Sequence, residues 1–89
     1  QKIFLSEILY LESDKDFVKI HCSDKVFMEL QTLKYHENHL PENFIRVHKS
    51  YLINKDKIDK VESSRLFIGK TAIPIGRNFK DQFYKSIGL

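Results

Sequence analysis

Glycine and proline are scarce in this chain, three and two among 89 residues, and there is one cysteine, one methionine and no tryptophan. Three glycines leave little material for a phosphate-cradling loop, and neither a Walker loop nor GxGxxG occurs. The lone Cys22 excludes an intrachain disulfide, and its apolar surroundings read as a buried thiol in a reducing compartment, so the cytoplasm is the expected location. No apolar run approaches the roughly 20 residues that cross a bilayer, and no basic-then-apolar signal peptide opens the chain, so no membrane association is expected. Low Gly and Pro content together with 42% hydrophobic and 30% charged residues is the composition of a folded domain, not of a disordered tail. At this length one domain with a modest core is expected, over residues 1–89. The chain opens at Gln1 without an initiator Met, and it reads as one domain of a longer protein with a partner domain upstream.

Charge is modest overall at +3 but unevenly placed. Residues 1–43 hold five Lys against eight Asp and Glu, whereas residues 44–89 hold ten Lys and Arg against four, a net of −3 and +6. A basic half of this kind points to a polyanionic partner.

Alternation of apolar and polar residues dominates the pattern. In "FVKIHC", Val18, Ile20 and Cys22 share one face of a strand; in "KVFMEL", Val26, Met28 and Leu30 share a face opposite Phe27 and Glu29. "KIFL" and "ILYLE" precede them as strand candidates, and "FIRVH", "KIDKVES", "RLFIG" and "TAIPI" follow, with Ser23–Lys25, Ser63-Ser64 and Gly69-Lys70 as tight turns. Thr32 to Leu40 breaks the alternation as a short helix, with Thr32 as cap, Leu33 and Leu40 on one face and Pro41 as stop. Phe79, Phe83 and Ile87 form an apolar stripe on a closing helix that ends at Gly88. About eight strands and two short helices are expected, in small antiparallel sheets, because the connections are too short for parallel crossovers.

No catalytic or metal-binding constellation emerges from the residues. His36 and His39 stand three apart, but Cys22 and His21 point to opposite faces of one strand, and surface histidines on a polar helix account for the pair without zinc. A nucleophile would need a base and an orienting carboxylate, yet GxSxG is absent and Cys22 lies mid-strand. Neither enzymatic activity nor a cofactor is expected. Basic residues at turns remain: Lys15 with Asp16 in "SDKD", Lys49 after His48, and Arg77 after Gly76.

"NFIRVHKSYLIN", followed by "IPIGRNFKDQF" and preceded by "ILYLESDKDFVKIH", resembles the LytTR DNA-binding domain, the output module of many bacterial response regulators. The resemblance runs from about Ile8 to Phe83 in the family's order. It implies small antiparallel sheets with two short helices, and loops rather than a recognition helix entering two successive major grooves. It also implies transcription regulation in a two-component phosphorelay, an upstream receiver, and action in pairs on direct repeats. Its DNA contacts fall on Lys15 and Asp16, on His48, Lys49 and Ser50, and on Arg77 and Asn78. Lys80, one turn further on, adds a phosphate contact. Among them Arg77 suits base reading, because a guanidinium pairs bidentately with guanine, and Lys49 suits phosphate anchoring. The sequence departs from the family pattern at Gly76, where Ser is common, and at Asn78, where a second basic residue is common. Arg46 and Tyr51 are expected to be structural. The competing expectation is a β-rich module that binds protein or single-stranded nucleic acid through exposed Phe17, Phe27 and tyrosines.

Overall fold

A computed structural model describes residues 2–89, and it contains eight strands and two α-helices. Strands β1 (Ile8–Asp14), β2 (Phe17–Cys22) and β3 (Val26–Glu29) form a meander. Helix α1 (Leu33–His39) follows, then β4 (Phe44–His48) and β5 (Tyr51–Asn54). A second meander, β6 (Lys60–Glu62), β7 (Arg65–Ile68) and β8 (Thr71–Pro74), leads through a single 3-10 turn at Arg77–Phe79 into α2 (Lys80–Ser86). The first five strands form an antiparallel sheet in the order β3-β2-β1-β5-β4, and the last three form a separate antiparallel sheet.

The five-stranded sheet is covered on both faces, which divides the apolar residues into two cores. Tyr10, Val47 and Ile53 face Leu66, Ile68, Ile73 and Ile75 of the second meander and Phe83 of α2. On the other face Leu11, Val18, Ile20, Phe44 and Leu52 pack against Leu33 of α1. Period-2 alternation therefore buries both faces of β4, with Val47 in one core and Phe44 in the other. Asn54 is a buried polar side chain that fastens the strand end: its amide donates to the Ile8 carbonyl at 2.8 Å and its oxygen accepts from the Asp56 N–H at 3.0 Å.

Capping chemistry sets the helix ends. The Thr32 hydroxyl accepts from the Tyr35 N–H at 3.0 Å, as its position before the apolar residues predicts. Beyond α2, Gly88 takes φ +86°, and the Leu89 N–H returns to the Tyr84 carbonyl at 2.8 Å. Gly69, at φ +61°, makes the β7–β8 turn.

Two strand readings need correction. Lys2–Phe4 is irregular and runs into a 3-10 turn at Leu5–Glu7, so "KIFL" is not a strand; "YLIN" supplies the missing one as β5. In β3 the polarity is inverted: Phe27 packs on the α1-side core, whereas Val26, Met28 and Leu30 are exposed. β3 is an edge strand pinned by its β2 register, and pairing Ile20 with Phe27 puts Phe27 on the buried face whatever its neighbours prefer. Cys22 is half-buried, not fully buried; burial and the nearby Glu7 and Asp24 push its thiol pKa up, away from reactivity.

Candidate nucleic-acid interface

Sheet topology gathers the turns singled out by the sequence. β1 and β5 are antiparallel neighbours, so the end of β1 lies beside the start of β5, and the Lys15-Asp16 and Lys49-Ser50 turns meet at one end of the sheet. The Ser13 N–H donates to the Ser50 carbonyl at 3.0 Å across that junction. Lys15 takes a left-handed backbone, φ +58°, which for a non-glycine residue is a modest strain confined to the tight turn. Lys15, Asp16 and Lys49 then line one groove of about 330 Å³ together with Arg46 and with Lys34 from the first turn of α1.

Arg77, Asn78 and Lys80 lie outside this groove, on the other flank of β4. The Gly76 N–H donates to the Val47 carbonyl at 2.7 Å, so the turn that carries Arg77 is docked on the end of β4. Gly76 is needed there for space, since a Cβ would stand 3.1 Å from the Phe79 ring and 3.5 Å from the His48 Cα. Arg77 and Asn78 are exposed, and Lys80 is half-buried as the first residue of α2. Asn78 does not cap α2, whose N-terminal end has no side-chain cap.

Among the described residues, Lys15, Lys34, Lys49, Arg77 and Lys80 have no carboxylate within ion-pair distance, whereas Lys19, Lys60 and Arg65 do. Cations without an ion pair also occur elsewhere among the described residues, at Lys25, Lys55, Lys57, Lys70 and Lys85, but at this end they gather around one groove and the turn beside it. Cations without an internal partner remain free to neutralise phosphate. Asp16 is exposed beside Lys15, and its carboxylate opposes phosphate there.

His48 is half-buried and orders the Lys49 turn, accepting the Ser50 N–H on Nδ1 at 3.0 Å, which requires a neutral ring with its proton on Nε2. Burial, then the charges of Lys49 and Arg46, lowers its pKa below the ordinary value. A depressed histidine pKa favours the native state above the unfolded-state pKa, and that stabilisation is lost as pH falls towards the folded value. Below pH 6.5 the domain should therefore lose stability in thermal melts, and His48→Asn, which keeps an acceptor for Ser50 without titrating, should flatten that part of the pH dependence. An unchanged slope in the variant would assign the effect to other groups.

Tyr51 is structural: its hydroxyl donates to Glu12 at 3.3 Å, and Glu12 also binds His21 at 3.0 Å beneath a stacked Tyr10 ring. His36 contacts Glu29 at 2.7 Å and His39 contacts the Tyr35 carbonyl at 2.7 Å. Among the described residues no cluster of three or more metal-ligating side chains occurs. Of the aromatics that single-strand binding would use, Phe27 and Tyr10 are built into the cores, whereas Phe17 and Tyr35 are exposed. Lys34 was not legible as a site residue. Its sequence signal is only a lysine two places after a cap, and the groove becomes visible once α1 folds back beside the β1–β2 turn.

A model of the LytTr DNA-binding domain family matches residues 1–88. In overall structure the chain is similar to the LytTr DNA-binding domain of a response regulator from Bacillus cereus, with a TM-score of 0.89 at 22% identity, covering 98% of this chain and 86% of that one. No curated protein matches the sequence.

Proposed function

The chain belongs to the LytTr DNA-binding domain family, a family of DNA-binding output domains in transcription regulation, and on that premise we propose that it reads a specific duplex sequence through turns in place of a helix. The observation that carries the proposal is the gathering of unpartnered cations at one end of the sheet: Lys15, Lys34 and Lys49 in one groove, and Arg77 held on the end of the same strand that leads to Lys49. The molecule measures 37 × 23 × 21 Å, and its long dimension is comparable to about 34 Å per turn of B-DNA, so one domain is large enough to reach successive major grooves on one side of a duplex.

In this reading Arg77 faces base edges, Lys49, Lys15 and Lys80 neutralise phosphate, and Asn78 and Ser50 add hydrogen bonds to the backbone or to a neighbouring base. Asp16 accepts from a cytosine amino group or faces away. His48, neutral, holds the turn. In its parent chain the domain follows a phosphoacceptor receiver in the cytoplasm, and two copies occupy direct repeats.

Selection of duplexes from a random pool, at stated salt, is the test: a preferred sequence should be enriched, and the absence of enrichment would favour the protein-binding alternative. Replacing Lys49 by alanine should weaken all duplexes alike and lower the slope of log affinity against log salt by about one. Loss confined to the preferred duplex would instead give Lys49 a base contact.

A further inference from the structure

We propose that Arg46 is the positioning residue that fixes the Lys49 corner relative to the Arg77 corner, with Glu37 holding its guanidinium in place. The proposal rests on the duplex reading above and deepens it by naming what sets the spacing of the two corners.

Three guanidinium nitrogens of Arg46 are committed inside the protein. Nε donates to the His48 carbonyl at 2.8 Å, Nη2 to the Lys49 carbonyl at 2.5 Å, and Nη1 to Glu37 Oε1 at 2.9 Å. The side chain is only 20% exposed, and its charge is already balanced by Glu37, so it is poorly placed to serve as a phosphate ligand. Its two carbonyl partners are the backbone of the turn that presents Lys49. Left free, those carbonyls would direct negative ends of dipoles toward an approaching phosphate; bound to Arg46 they fold back onto the domain.

The register of β4 against β5 shifts between Arg46 and His48, and a shift of this kind re-aims the residues that follow it. On its other flank the Arg46 guanidinium lies 6.0 Å from the centroid of the Phe79 ring, in the 3-10 turn that begins at Arg77. Val47, the next residue, holds Gly76 by its carbonyl at 2.7 Å. Arg46 lines both the Lys15–Lys49 groove and the cleft beside Phe79, and so stands between the two corners. A lysine has the charge but not the planar fork needed to reach three acceptors at once.

The test uses Glu37, which is exposed on α1, through two variants of equal charge. Glu37→Gln keeps an oxygen that accepts from Arg46, and Glu37→Ala does not. On electrostatics alone both should bind DNA more tightly than wild type and equally. If Arg46 positions the turn, E37A should bind the duplex enriched by the wild-type domain about tenfold more weakly than E37Q, while the two bind random duplex alike. Arg46→Lys should lose preferred-duplex affinity about tenfold with an unchanged salt slope. Without any DNA, the Lys49 and Ser50 backbone amide resonances of R46K should move. Equal preferred-duplex affinity for E37A and E37Q, or unmoved amides in R46K, would overturn the role of Arg46 while leaving duplex reading intact. A wild-type domain that enriches no duplex would remove both readings.

Discussion

Replacing Arg77 by alanine should cost about 1 to 3 kcal/mol of binding to the preferred duplex and make the domain indifferent to base identity at one position. Arg77 is exposed and, among the described residues, its side chain makes no ion pair or hydrogen bond, so stability should change by no more than about 0.5 kcal/mol on its removal. Its backbone, by contrast, is held by the Gly76 contact to Val47 and by Phe79 against β4, which gives the guanidinium a rigid base. A five-donor planar group on such a base suits the paired acceptors of guanine in the major groove. The measurement is competitive binding to the preferred duplex and to its single-base-pair variants at fixed salt. Arg77→Lys should retain binding to random duplex and lose discrimination, because the charge survives and the fork does not. Equal losses on preferred and random duplex for Arg77→Ala would reduce Arg77 to a phosphate contact.

Phe83→Ala should have the largest effect on stability, about 3 to 5 kcal/mol. Phe83 is fully buried among Leu66, Ile68, Ile73, Ile75 and Val47, where one side chain of α2 joins the three-stranded sheet to the five-stranded one. Removing the ring leaves a cavity that neither sheet can close alone. A domain of this length has a total stability of roughly 4 to 13 kcal/mol, so the loss is about a quarter of the whole or more and brings a domain at the low end of that range to its unfolding midpoint. Urea unfolding is the check, with Phe83→Leu, a smaller change of volume, expected to lose roughly half as much or less. A Phe83→Ala midpoint close to wild type would mean that α2 is not an obligatory part of the core. Because α2 begins directly after the Arg77 turn, the same variant should also weaken DNA binding in whatever fraction stays folded.

Alternation was a sound guide where both neighbours of a strand are present. Val18 and Ile20 in β2 and Leu66 and Ile68 in β7 point inward as their spacing predicts. It failed at β3, where three apolar residues suggested the buried face and the register with β2 exposed them instead. A free edge has one partner to obey, and that partner outweighs local hydrophobicity. It failed again at Lys2–Phe4, where a short apolar run has no strand beside it to pair with. Helix ends were legible because caps are local chemistry: Thr32 and Gly88 act within a few residues of themselves.

The candidate site divides along the same line. Arg77, Lys49 and Lys15 could be picked from the sequence, since charge next to a turn signal is visible one residue at a time. Lys34 could not, and Arg46 was read only as a structural residue, because its three partners lie on α1 and on the turn two and three residues ahead. A guanidinium that faces inward and one that faces DNA look alike as letters.

By itself the sequence determined the class of the domain, its antiparallel strands and capped helices, the basic second half, and the family to which it belongs, all of which depend on composition, period and short motifs. Tertiary structure alone decided which cations share a surface. Antiparallel pairing of β1 with β5 brings Lys15 beside Lys49 across some 34 residues of chain, and a carbonyl of β4 holds the turn of Arg77, 28 residues after Lys49, at the same end of the sheet. Spacing along the chain carries no such information, because proximity between distant residues is set by strand order and register, and these are settled only when both cores close at once.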